Sequence, residues 1–145
     1  MIERIKATFP QGIIEISEQN NQLLLTVEPA VLLKLCQVIQ EAGYDYPANI
    51  TAVDDGQNLR LVYHLFAISQ KRYVVLNVAV ARKGGRAPSV AAIWRGAEWF
   101  EREIFDLFGV SFDGNPDLRR ILLPPDWKDI PPLLKDYKLG GSAEA

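Results

Sequence analysis

Two runs, "LRLVYHLFAI" (59–68) and "RYVVLNVAVA" (72–81), joined only by "SQK", constrain this chain more than anything else in it. Both are rich in β-branched and aromatic residues and their connection is of hairpin length, so they predict two long antiparallel strands. Upstream, "GIIEIS" (12–17) and "QLLLTV" (22–27) flank the polar turn "EQNN" and predict a second hairpin, while "NITAVDD" (49–55) adds another strand. Two stretches have helical spacing instead. Pro29 suits a first helical turn, and Val31, Leu32, Leu35, Val38, Ile39 and Ala42 recur at helical intervals until Gly43 ends the run. Ser89 is placed as the N-cap of a second helix from Val90 to Phe108. The predicted fold class is therefore α+β, a mainly antiparallel sheet with two helices packed on it.

After Gly109 the character of the chain changes. Pro116, Pro124, Pro125, Pro131 and Pro132 rule out a long helix or a central strand. Yet Leu118, Ile121, Leu122, Leu123, Trp127, Leu133, Leu134 and Tyr137 are too apolar for a solvated tail. The chain divides on this reading into an α+β domain, residues 1–114, and an extended Pro-rich segment, residues 115–145. The stretch from Pro116 to Leu139 is expected to act as a belt on a partner, the plainer option being a tail folded on its own core; only the closing "GGSAEA" reads as a frayed end.

Composition narrows the function classes. A net charge of -2 over 145 residues lacks the basic stripe that phosphate neutralisation needs, so nucleic acid is not the expected partner. One cysteine, Cys36, and one histidine, His64, cannot form an internal disulfide or supply zinc or iron–sulfur ligands. Cys36 falls beside the apolar stripe of its helix and His64 within a strand, where packed side chains are expected. "RKGGRAPS" precedes a helix without dinucleotide or P-loop spacing. "MIERIKATFPQG" lacks the apolar core of a signal peptide, and the longest apolar runs fall far short of the ~20 residues that span a bilayer. Any membrane attachment is expected through partners.

The stretch "WFEREIFDLFG" (99–109) mixes acids, bases and large apolar residues. At ~100° per residue, Val90, Ile93, Trp94, Ala97, Phe100, Ile104, Leu107 and Phe108 form one stripe facing the sheet. Arg95, Trp99, Arg102 and Asp106 share the opposite face, where Glu98–Arg102 and Arg102–Asp106 are possible i,i+4 pairs. Trp99 on that face has the character of an interface anchor. Glu101 falls inside the apolar stripe and needs a partner, for which Arg119 or Arg120 is the expected supplier. Glu98, Glu101, Glu103 and Asp106 also raise the alternative of a stand-alone carboxylate or metal enzyme, although the Glu-x-x-His spacing of di-metal carboxylate sites is missing.

The run "WFEREIFDLFGVSFDGNPDLRRILLPPDW" (99–127), followed by "LLKDYKL" (133–139), resembles the signature of the 30 kDa subunit family of respiratory complex I, the NADH-quinone oxidoreductase. Glu101-Arg102-Glu103, Asp106, Gly109, Pro116-Asp117-Leu118, Arg119-Arg120 and Lys135-Asp136-Tyr137 carry the resemblance, with Trp99 and Trp127 inside it. Asn115 stands where the family usually has a basic residue, and Leu134 where it has arginine. The resemblance implies an accessory subunit without a redox centre, bracing the large quinone-site (49 kDa-type) subunit in the hydrophilic arm beside small iron–sulfur subunits. The complex so implied contains iron–sulfur clusters and uses a quinone, oxidising NAD(P)H or ferredoxin on the cytoplasmic side of a membrane, or its stromal or matrix equivalent. Related subunits serve membrane-bound nickel–iron hydrogenases and coenzyme-F420-linked complexes.

Overall fold

The computed structural model describes residues 1–140; the expectation for the closing residues after Gly140 lies outside that range. A short helix α1 (Ile2–Thr8) leads into β1 (Ile13–Gln19) and β2 (Gln22–Val27). Helix α2 (Pro29–Glu41) follows, then β3 (Tyr46–Asp54), β4 (Asn58–Ala67) and β5 (Arg72–Ala81). A two-stranded parallel pair, β6 (Arg86–Pro88) and β7 (Ser111–Asp113), brackets helix α3 (Ala97–Phe108).

The five long strands form one sheet in the order β1-β2-β5-β4-β3. All neighbours run antiparallel except β2 and β5, which lie parallel with Leu23 beside Val74 and Val27 beside Val78. The α+β fold class expected from the sequence is the fold observed. Local chemistry explains the hairpins: Asn20 and Asn21 both take positive φ between β1 and β2, a backbone that the two-residue turn requires and that asparagine tolerates.

Alternation along the strands sends Leu23, Leu25 and Val27, Leu59, Leu61, Tyr63 and Leu65, and Val74, Leu76 and Val78 into one buried layer. Leu32, Leu35, Cys36 and Ile39 of α2 close over it. Gly43, at φ +97, lets the Tyr44 amide reach back to the Ile39 carbonyl and stops that helix where the sequence indicated. Burial pushes the Cys36 thiol well above its ordinary pKa, with the nearby Glu101 charge adding to the effect, so this cysteine is packed and unreactive.

Three features differ from the sequence expectation. Helix α1, with Ile5 fully buried and Arg4 bonded to Glu41 of α2, was not anticipated, because two isoleucines are too few to define a period. The β6–β7 pair was equally invisible at three residues a strand. The second long helix begins at Ala97 instead of Val90, and Ser89 does not cap it. The reason is a single contact: the Val90 amide donates to the Glu101 carboxylate at 2.7 Å. A straight helix would hold those two residues about 16 Å apart, so the chain from Val90 to Gly96 must double back in turns.

Candidate functional site: the helix α3 and strap network

Helix α3 lies between the sheet and the Pro-rich segment, and its polar residues divide accordingly. Glu101 faces inward and is fully buried. The expected Arg119 or Arg120 partner is not there. Its carboxylate accepts from Ser89 Oγ at 2.7 Å, from the Val90 amide at 2.7 Å and from Asn115 Nδ2 at 2.8 Å. Three neutral donors replace one cation because Arg119 turns outward to Asp117 and Arg120 to Asp106. Burial raises the Glu101 pKa, and the bonds from Ser89, Asn115 and Val90 only partly offset this. Ser89 and Asn115 were missed as partners; the signal for Asn115 was its place before Pro116, where its side-chain oxygen accepts the Asp117 amide at 2.9 Å in an Asx turn.

Replacing Glu101 with glutamine should therefore leave an amide donor pointed at another donor, at a cost of about 1–3 kcal/mol. Denaturant unfolding monitored by tryptophan fluorescence reads this directly. An unchanged midpoint would mean that the three bonds do not hold the Ser89–Val90 turn to α3.

The opposite face, where Trp99 had the character of an interface anchor, is covered at Arg102 and Asp106 by the chain's own tail, while Trp99 stays exposed. Arg102 and Asp106 are both buried. Arg102 donates to the carbonyls of Arg119 (3.2 Å) and Arg120 (3.3 Å), not to the i,i+4 acids. Asp106 accepts the amides of Ile121, Leu122 and Leu123 on one oxygen, at 3.1, 2.7 and 2.8 Å, and Arg120 on the other at 3.0 Å. Two side chains one turn apart thus satisfy the backbone of five consecutive residues that proline keeps out of any ladder. Burial alone would lift the Asp106 pKa, but the Leu123, Leu122 and Ile121 amides with Arg120 overcome it and hold it below the ordinary carboxylate value.

Two further fastenings hold the strap downstream. Pro131 passes over Gly109, where an added Cβ would stand 3.0 Å from the proline ring, and the Leu133 amide satisfies the Leu107 carbonyl that α3 leaves open at its end. Asp54, at the end of β3, receives a fork of two bonds from Arg82 (2.8 and 2.7 Å), the Gly56 amide and the Lys135 amide at 2.9 Å. Arg82 also reaches Asp136 at 3.2 Å. The Arg82 fork and then the Lys135 amide hold the Asp54 carboxyl far below its usual range. Trp127 meets the Tyr137 ring at 6.1 Å and donates Nε1 to the Ile130 carbonyl.

The sequence-selected residues are thus brought together in two clusters. Trp99, Arg102, Asp106, Arg119 and Arg120 gather at α3, and Lys135 and Asp136 at Asp54 and Arg82, a pair that sequence reasoning did not single out. Trp127 and Tyr137 contact each other, and Glu103 is exposed. Trp99 is 58% exposed beneath the Arg102 guanidinium, 4.8 Å from ring centre to charge. The oxygens of Glu101 and Asp106 are occupied by donors from the protein itself, and among the described residues no group of three or more His, Cys, Asp or Glu side chains could hold a metal.

A fold whose buried ions organise its own strap, with Ile121, Leu122 and Leu133 exposed along it, is that of a scaffold module. A family model described as the respiratory-chain NADH dehydrogenase 30 kDa subunit matches residues 25–143. The chain belongs to that family. A NADH-quinone oxidoreductase subunit of Salinispora tropica is 35% identical over 97% of this chain, and its counterpart in Trichlorobacter lovleyi is 34% identical over 97%. The chain spans 60% of the Salinispora protein's length and 89% of the Trichlorobacter protein's. Among solved structures, the trypsin-resistant fragment (1-134) of Nqo5 shares the fold, with a TM-score of 0.69 and 23% identity over 81% of this chain and 96% of that one. A chain of the membrane-bound sulfane sulfur reductase, an archaeal respiratory membrane complex, matches with a TM-score of 0.78 and 26% identity over 95% of this chain and 84% of that one.

Proposed function

We propose that this chain is an accessory subunit of a complex I-like NAD(P)H- or ferredoxin:quinone oxidoreductase, bracing a large quinone-site subunit of the 49 kDa type beside small iron–sulfur subunits. The observation that carries this reading is the strap. Its backbone is fixed by Arg102, Asp106 and Asp54, while Leu122 and Leu133 are left exposed on it and Trp99 beside it. Large apolar side chains held out on a rigid frame are suited to burial against a neighbour. Family membership supports a neighbour within a respiratory assembly. Clusters and quinone then belong to the adjacent subunits, and the chain supplies shape. On this reading, family membership supports placement at the membrane through partners, on the cytoplasmic side or its stromal or matrix equivalent; no helix among the described residues is long and apolar enough to cross a membrane.

A second reading assigns the chain to a respiratory complex with a different electron acceptor or donor, such as a nickel–iron hydrogenase-type assembly. The likeness to a chain of the sulfane sulfur reductase complex favours it. Purification of the tagged chain from its native membranes, with identification of its companions and assay of the acceptor reduced, separates the two. The isolated chain is expected to be colourless, with absorption from clusters only in the assembly. A stoichiometric visible chromophore on the isolated chain would overturn the accessory role.

A further inference from the structure

We propose that the outer edge of β1 takes an extended strand from another protein, one that alternates branched apolar residues with Lys or Arg, as a sixth strand on the five-stranded sheet. The strap over α3 takes no part in this contact.

The two edges of the sheet are built differently. β3 is blunted, since it carries Pro47 with a bulge beside it and α3 packs against it. β1 is left open. Among the described residues its backbone bonds only to β2, and Ile13–Gln19 holds neither proline nor lysine, the residues that natural edges use to turn away a further strand. Its own bulge, at Ile14, turns that side chain out, 65% exposed. The Asn20–Asn21 turn fixes which backbone groups are free. Gln19 and Gln22 close the turn and share its bonds, and antiparallel pairs alternate from there, so Ser17 bonds toward Leu24 while Ile16 and Glu18 direct their N–H and C=O groups outward.

Side chains on the two faces of this edge decide what fits it. Ile13 and Ile16 lie opposite Val27 and Leu25, on the helix side, where with Phe9, Pro10 and Ile14 they line a groove of about 310 Å³. Apolar residues of an added strand enter that groove. Glu15 and Ser17 lie opposite Thr26 and Leu24, on the face that the helices leave open. Lys6 and Arg60 line the grooves on either side of Glu15, yet neither forms an ion pair with it, whereas Glu18 already shares Arg72. Alternation then sets a Lys or Arg of the added strand against Glu15, a cross-strand pair of opposite charge. A second copy fits less well, because its own β1 brings two more carboxylates and no base. Main-chain bonds supply the affinity, and the groove and Glu15 supply the selection.

The test uses the full chain and two synthetic peptides of about eight residues, one alternating valine with lysine, the other valine with glutamate. Exchange of the Ile16 and Glu18 amides, followed by NMR, should slow at least about tenfold with the lysine peptide and stay unchanged with the glutamate peptide. Glu15→Lys, at an exposed position, should reverse that preference while keeping the wild-type circular dichroism spectrum. Glu18→Pro removes one outward N–H and should abolish binding of the lysine peptide; Glu18→Gln keeps the N–H and should leave binding within about twofold, because the Arg72 pair it loses is exposed. Equal slowing by both peptides would overturn the proposal, as would binding that survives Glu18→Pro or no slowing with either peptide. Slow exchange at the same two amides in the peptide-free chain, with dimerisation that Glu18→Pro abolishes, would also overturn it and make a second copy the occupant.

Discussion

Replacing Asp106 with alanine is expected to cost about 3–5 kcal/mol of folding stability, the range for breaking a buried, hydrogen-bonded ion pair. The change removes the acceptor of three backbone amides and the partner of Arg120 together. Arg102 can still hold the two carbonyls upstream, so the strap should peel from Ile121 onward while the sheet stays formed. Hydrogen exchange at the amides of 121–123, with denaturant unfolding of the whole chain, measures both parts. An alanine variant with wild-type midpoint and protected amides would show that Asp106 does not fasten the strap.

The same contact predicts a direction with pH. Asp106 and Asp54 both have folded-state pKa values below the ordinary carboxylate value of 3.8. A depressed carboxyl contributes stability that is fully present above its unfolded pKa and is lost as pH falls toward the folded one. Amide protection in the strap should therefore be constant from neutrality down to about pH 5 and fall below about pH 4. In the alanine variant the part of that loss belonging to residues 121–123 should be absent.

The second large effect is on assembly. A chain ending after Ile121 loses two of the three Asp106 amides, the Leu133 bond to α3 and the Lys135 and Asp136 contacts to Asp54 and Arg82. It keeps every strand and helix, because all of them lie upstream. Its circular dichroism spectrum should match the full chain, while recovery of the large partner subunit should be abolished. Assembly at wild-type yield would show that residues 122–145 serve only their own domain.

How far the sequence could be read depended on how local the causes are. The β4–β5 hairpin, the Asn20–Asn21 turn and the Gly43 stop were legible because each rests on the conformational preference of a few adjacent residues. The wheel also placed Glu101 in the buried stripe and Trp99 on the outer face. It could not say what would lie over that face. Arg102 and Asp106 read as an i,i+4 pair because their actual partners are backbone groups of a segment that has no periodicity of its own, and Arg120 beyond it. The same blindness misassigned Glu101: two adjacent arginines were the obvious cations, yet Ser89 and Asn115 were brought to it by the β6–β7 pairing, whose strands are too short to leave a pattern. The parallel junction of β2 and β5 was hidden as well, since alternation marks a strand but not its neighbour.

That junction has a consequence for how the chain is made. β1 and β2 leave the ribosome as a hairpin whose outer edge has nothing to pair with until β5 emerges, after α2, β3 and β4. At ~5–20 residues per second, that unpaired edge waits roughly 2–10 s during synthesis. Over that interval Leu23, Leu25 and Val27 lack the neighbours Val74, Leu76 and Val78 that flank them in the finished sheet. The parallel seam that joins β1 and β2 to the rest of the sheet therefore closes only once β5 has emerged.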